Sequence, residues 1–161
     1  MTEEPSEPPK EPSKKPEEPK PEPSSEWGNL ERWVSEIGKW AWIIALVNGI
    51  ISVFWGAWRM FWTFPYTRWF ILGWYIGGGV VVIIFAIAIV KPRFSNKCAE
   101  KDWDFLLNDI LKLGSLRFPM MFVWAIIVTA FGYYAWGGAA IWFPAIVLVV
   151  AGPKQYQWTE E

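Results

Sequence analysis

Two long stretches of this chain contain no acidic residue: none lies between Gly38 and Ala99 and none between Ile110 and Thr159, although carboxylates crowd the interval between them and both ends. A carboxylate is among the costliest groups to place in hydrocarbon, so stretches that lack it and are rich in Trp, Phe, Ile and Val are suited to oil rather than water. Each stretch exceeds the roughly 20 residues that a helix needs to cross about 30 Å of hydrocarbon. Each is therefore expected to enter the bilayer, turn and return as a hairpin of two helices.

On this reading the fold is all-α. It is a polytopic membrane protein, a four-transmembrane-helix bundle of two helical hairpins, with two interfacial amphipathic helices and a disordered N-terminal tail. The membrane domain occupies residues 27–158, with spans expected at 40–62, 69–90, 116–135 and 139–156. Phe64-Pro65-Tyr66-Thr67-Arg68 reads as the first tight turn, Lys91-Pro92-Arg93 as the sharp end of the second span, and Trp136-Gly137-Gly138 as the second turn. The fourth span is short, and a re-entrant loop bent at Pro144 is the alternative there. Residues 27–38 repeat Trp27, Leu30, Trp33, Val34 and Ile37 at helical spacing, and residues 102–113 do the same with Trp103, Leu106, Leu107, Ile110 and Leu111. Helices of this pattern beside a span rest at the headgroup level.

Residues 1–26 are of a different kind. They hold eight Pro, eight Glu and four Lys and nothing apolar beyond Met1, so they cannot offset the entropy of ordering and are expected to be disordered. Pro5-x-x-Pro8, Pro9-x-x-Pro12 and Pro16-x-x-Pro19 are compatible with polyproline II geometry and a cytoplasmic partner. Such spacing is hard to avoid at this proline density, and a charged, semi-rigid spacer is the simpler expectation.

The cations give the orientation. With two hairpins, Arg32, Lys39, Lys91, Arg93, Lys97, Lys101, Lys112, Arg117 and Lys154 fall on the side of the termini, and only Arg59 and Arg68 on the other. The positive-inside rule then places both termini in the cytoplasm. Most of the 14 tryptophans fall near one boundary or the other. Trp27, Trp33, Trp40, Trp103 and Trp158 are expected as anchors at the inner interface, and Trp55, Trp58, Trp62, Trp69 and Trp136 at the outer one. Arg59 is expected to snorkel among Trp55 and Trp62.

Few groups are suited to chemistry. The chain has no His and one Cys, which excludes a Ser-His or Cys-His nucleophile pair, a His-ligated metal and an internal disulfide. Glu100, Asp102, Asp104 and Asp109 are explained by helix solvation and charge preference at a helix start, and Gly77-Gly78-Gly79 lacks the Lys-Ser/Thr of a phosphate loop. No catalysis, cofactor or nucleic-acid binding is expected. Ala41, Ala45, Gly49, Ser52 and Gly56, with Gly73 and Gly77 on the second span, form small-residue faces suited to close helix packing. Asn48 lies on the same side, and its amide is expected to seek an interhelical hydrogen bond, with Thr129 as the candidate partner. The expected role is a membrane scaffold, adaptor or regulatory subunit. Its partners are the lipid bilayer, a second copy of the chain or another membrane protein, and a cytoplasmic partner of the tail. The alternative is a channel or transporter subunit whose oligomeric pore is lined by Asn48 and Ser52.

Overall fold

The computed structural model describes residues 25–63, 69–154 and 156–159, and 84% of these residues are helical. The proline motifs of the tail and the expected turn at 64–68 lie outside the described residues.

Helix α1 runs unbroken from Ser25 to Thr63. The separate interfacial helix expected at 27–38 is therefore its first three turns. The reason is a single buried stripe: Trp27, Val34, Ala41, Ala45, Asn48 and Ser52 are all buried and recur at spacings of three, four and seven, so one face of one helix packs against protein along most of its length. Gly38 lets α1 approach Cys98 and Phe94 closely.

Helix α2 (Trp69–Phe85) returns antiparallel to α1 and continues as a π-helical segment (Ala86–Ser95) and then as α3 (Asn96–Glu100). Lys91-Pro92-Arg93 does not end it. In an α-helix the Pro92 ring would meet the carbonyl four residues back, and the wider i→i+5 turn relieves that contact and needs no N–H from proline at the α position. The helix instead ends at Lys101, which takes left-handed dihedrals (φ 56°) while its N–H and that of Asp102 bond back to the carbonyls of Cys98 and Lys97.

Of the amphipathic helix expected at 102–113, only α4 (Trp103–Asn108) forms. Ile110–Leu113 (β1) and Leu116–Pro119 (β2) make an antiparallel hairpin with Ile110 opposite Pro119 and Leu113 opposite Leu116. The two-residue connection Gly114-Ser115 carries a positive φ at its glycine, as a type II′ turn requires, and this local demand outweighs the helical spacing of the leucines. The all-α expectation is corrected to this extent. Residues 156–159 lie along β2, with the Arg117 N–H bonded to the Trp158 carbonyl at 2.8 Å.

The expected third span, 116–135, is thus part strand. Its helix α5 (Met120–Phe131) has 12 residues, about 18 Å at the α-helical rise, and starts where Pro119 leaves the ladder in an extended conformation. A short 3₁₀ turn (Tyr133–Ala135) connects it to α6 (Trp136–Ala151). The connection therefore precedes the expected Trp136-Gly137-Gly138, which is the first turn of α6. Pro144 sits inside α6 and is buried, so no re-entrant bend occurs at that residue, and α6 stops at Gly152-Pro153 instead of continuing to Tyr156. Among the described residues, three helices are long and apolar enough to cross a membrane: Trp27–Trp62, Trp69–Glu100 and Tyr133–Ala151.

The exterior is apolar where the core of a soluble protein would be. Phe61 is 86% exposed, Phe70 77% and Trp62 72%, all on the distal ends of α1 and α2. Surfaces of this kind, together with the three long apolar helices, suggest a membrane location.

Gly49 and Gly79 form the crossing point of α1 and α2. A methyl group on Gly49 would lie 2.8 Å from the Gly79 carbonyl oxygen, and one on Gly79 would lie 2.7 Å from that of Gly49. Gly49→Val or Gly79→Val should accordingly destabilise the protein by about 1–3 kcal/mol through overpacking. Gly73→Ala, with open space around its Cα, should be neutral or mildly stabilising. Thermal unfolding in detergent micelles checks this ranking, and equal melting temperatures for all three variants would contradict it.

Candidate functional site

The most structured polar group within the membrane-embedded part is the Asn48 side chain. It is fully buried, and its amide makes two bonds to one residue: Nδ2 donates to the Tyr133 carbonyl at 2.8 Å, and the Tyr133 N–H donates to Oδ1 at 2.9 Å. Asn48 thereby takes the place of a strand neighbour for the backbone of Tyr133, the first residue of the 3₁₀ turn. The interhelical bond expected of Asn48 goes to this backbone and not to Thr129, whose hydroxyl accepts from Trp142 Nε1 at 3.1 Å.

Tyr134 and Ala135 in the same turn have positive φ values of 48° and 62°, a conformation that L-residues seldom adopt. Three close approaches hold it. Gly132 and Gly137 bring their backbones against the Asn48 amide, and Gly138 lies against Ala125 and Thr129, so any side chain at these positions would collide. The Tyr133 ring is wedged edge-on against Trp55 at 5.9 Å and tilted against Tyr75 at 6.1 Å. Ser52, one turn from Asn48, donates from Oγ to the Tyr75 carbonyl at 2.8 Å.

Immediately beyond this turn the molecule has a cleft of about 580 Å³, walled by Phe70, Ile71, Trp74 and Tyr75 of α2 and floored by Gly132, Tyr134 and Ala135. Its size is that of a small-molecule pocket, but its lining is aromatic and apolar, and it opens toward the exterior. Phe131 stacks on Trp74 at its edge, with ring centroids 5.1 Å apart.

The remaining expected residues are distributed as follows. Ala41 and Ala45 are buried in the core, and Gly56 abuts Tyr75 and Ile76. Gly73 and Gly77 do not pack within the chain, because α2 turns that face outward; the glycines that α2 brings to its neighbours are Gly78, against the Phe131 carbonyl, and Gly79. Trp33, Trp40, Trp58, Trp62 and Trp69 are at least half exposed, and Trp55, Trp136 and Trp158 are exposed to a smaller degree. Trp27 and Trp103, expected as anchors, are buried edge-to-face against each other at 5.7 Å, with Trp103 Nε1 donating to Glu31 at 3.1 Å; they join α1 to α4 rather than facing lipid. Arg59 is exposed on the distal part of α1.

At the opposite end the charged groups pair off. Lys97 bridges Glu100 at 3.1 Å and Asp102 at 2.9 Å, Lys101 meets Glu31 at 3.4 Å, and Lys154 meets Asp104 at 2.6 Å. The bond from Lys97, reinforced by the Phe105 N–H, holds the Asp102 carboxyl below its ordinary pKa. Among the described residues no three acidic or sulfur side chains converge to hold a metal ion. Cys98 is fully buried against Gly38, which closes it to acylation from the aqueous side.

Replacing Asn48 with Ala leaves a donor and an acceptor of Tyr133 without their partner at a part-buried position, which should destabilise the protein by about 1–3 kcal/mol. The loss should be local, so amide hydrogen exchange at Tyr133 in lipid nanodiscs is expected to accelerate in Asn48→Ala while amides in the middle of α2 stay protected. Unchanged protection at Tyr133 would show that Asn48 does not hold the turn.

Searches for a matching family model, curated protein or solved structure find none.

Proposed function

We propose that this chain is a non-enzymatic multi-pass membrane protein, with both termini in the cytoplasm, that organises partners through helix–helix contacts within the bilayer. The observation that carries this reading is the outward face of α2. Gly73 and Gly77 stand four residues apart with nothing within 4 Å of the position a side chain would take, and Phe70, Val80, Val81 and Ile84 continue the same exposed stripe. Because lipid is as apolar as these side chains, association of membrane helices depends on close van der Waals approach, and a Gly-x-x-x-Gly face provides it. The glycines used inside the fold are different ones, which leaves this pair available for a second copy of the chain.

The orientation rests on the cations. Nine of the sequence's Lys and Arg residues from position 32 onward lie with the termini and the α4 and β-hairpin segment, whichever depth the α5–α6 hairpin reaches. The pore reading loses its lining, since Asn48 and Ser52 are both buried and bonded to the backbones of Tyr133 and Tyr75.

Fluorescence energy transfer between donor- and acceptor-labelled copies in liposomes tests the proposal. Gly77→Leu should raise the dissociation constant at least about tenfold, equivalent to roughly 1.4 kcal/mol, without lowering thermal stability. The same affinity in Gly77→Leu and the parent chain, or no transfer in either, would remove the support for α2 as the contact face.

A further inference from the structure

We propose that the molecule is a wedge, wider in one leaflet than in the other: α1 and α2 cross the whole bilayer, while the α5–α6 hairpin enters from the side of the termini and turns back near mid-depth, so that it bends the membrane. Helix α1 is the ruler. The charged residues of its first part, Glu31, Arg32, Glu36 and Lys39, end just before Trp40; its one further charge, Arg59, lies within a turn of Trp62, which marks the distal end. From Trp40 to Trp62 the α-helical rise gives about 33 Å, one hydrocarbon thickness. Asn48, which holds Tyr133, stands about 12 Å above Trp40 and about 21 Å below Trp62 on this scale. On α2, Gly78 faces the Phe131 carbonyl at a level about 14 Å below Trp69. Two independent contacts thus put the Gly132–Ala135 turn in the middle third of the slab.

The alternative is that the turn marks the distal membrane surface. Measuring about 30 Å back along α1 from Asn48 would then draw Arg32, Glu36 and Lys39, with Lys91 and Arg93 beside them, into hydrocarbon. It would also leave Phe54, Trp58, Phe61, Trp62, Trp69 and Phe70 standing in water. Both consequences are unfavourable, and the mid-depth placement removes both at once. It also explains why a turn of irregular backbone has a buried side chain satisfying its N–H and C=O: at an aqueous surface water would do so, whereas inside hydrocarbon only the protein can.

The shape follows. Among the described residues, the leaflet on the side of the termini holds parts of four helices, α1, α2, α5 and α6, with α4 and the β-hairpin at its edge, while the other holds only α1 and α2. Each helix is about 10 Å across with its side chains, so one leaflet is spread and the other is not. The cleft bounded by Phe70, Trp74, Tyr134 and Ala135 is the step in this wedge, and acyl chains of the narrow leaflet occupy it. This shape does not depend on whether α2 pairs with a second copy.

The test uses the full chain with Cys98→Ala, reconstituted in liposomes and spin-labelled at Ala135→Cys or, as a second site in the same turn, Trp136→Cys. Oxygen, concentrated at mid-bilayer, should relax these labels efficiently, while a water-soluble nickel chelate should reach them far less than a label at Trp69→Cys. Nickel access equal to that at position 69 would mean that the hairpin crosses, and the wedge would be overturned. Bending is read from an N-terminal epitope probed by an impermeant antibody. The fraction of molecules with the epitope outward, where the wide end occupies the more curved outer leaflet, should be higher in small sonicated vesicles than in large extruded ones. Equal fractions would overturn the proposal even with the hairpin at mid-depth.

Discussion

Hydrocarbon offers no hydrogen bonds, so every backbone N–H and C=O within it needs a partner supplied by the protein. Inside a helix this is automatic. Where the chain reverses between α5 and α6 it is not, and there one amide, that of Asn48, both gives to and takes from the Tyr133 backbone. The partner set is economical because a primary amide carries a donor and an acceptor side by side, matching the geometry of a peptide unit. Once this pair is placed, the remaining contacts of the turn follow: glycines at 132 and 137 to admit the amide, and aromatic rings of Trp55 and Tyr75 around Tyr133.

The first half of the molecule depends on proximity rather than polarity. A single stripe of small and apolar residues along α1 lets α2 and α6 approach, with the Gly49 and Gly79 backbones in contact and Ala41 and Ala45 fully covered. The same face continues down to Trp27, where it packs on Trp103 of α4, so the part of α1 rich in charge is also packed against the protein. Polarity changes along α1 but the buried face does not. Helical continuity through Gly38 and, on the other strand of the hairpin, through Pro92 is a result of that continuous packing.

Much of this was legible in the residues. The absence of carboxylates marked the apolar stretches that carry the long apolar helices, and Ala41, Ala45, Asn48, Gly49, Ser52 and Gly56, picked out by their spacing, are buried along one face of α1. What was not legible came from interactions at long range or from turn chemistry overridden by helical spacing. The partner of Asn48 is 85 positions away, and no local pattern names Tyr133. Of the glycines on α2, periodicity alone could not distinguish the pair at 78 and 79, which the fold uses, from the pair at 73 and 77, which it leaves open. The β-hairpin did carry a signal, in Gly114-Ser115 between two short apolar runs, but the leucine spacing of 102–113 concealed it. Pro92 misled because a proline ends an α-helix but is accommodated by a π-helical turn.

Everything rests on the exposed aromatic and aliphatic surface of α1, α2 and α6 being covered by lipid rather than by water. The most direct measurement is extraction of membranes that contain the full chain with alkaline sodium carbonate, followed by sedimentation. A protein whose long apolar helices are embedded in the bilayer stays in the pellet and is released only by detergent. Recovery in the supernatant, or solubility of the expressed chain without detergent, would contradict the membrane placement and the depth assigned to every residue along α1.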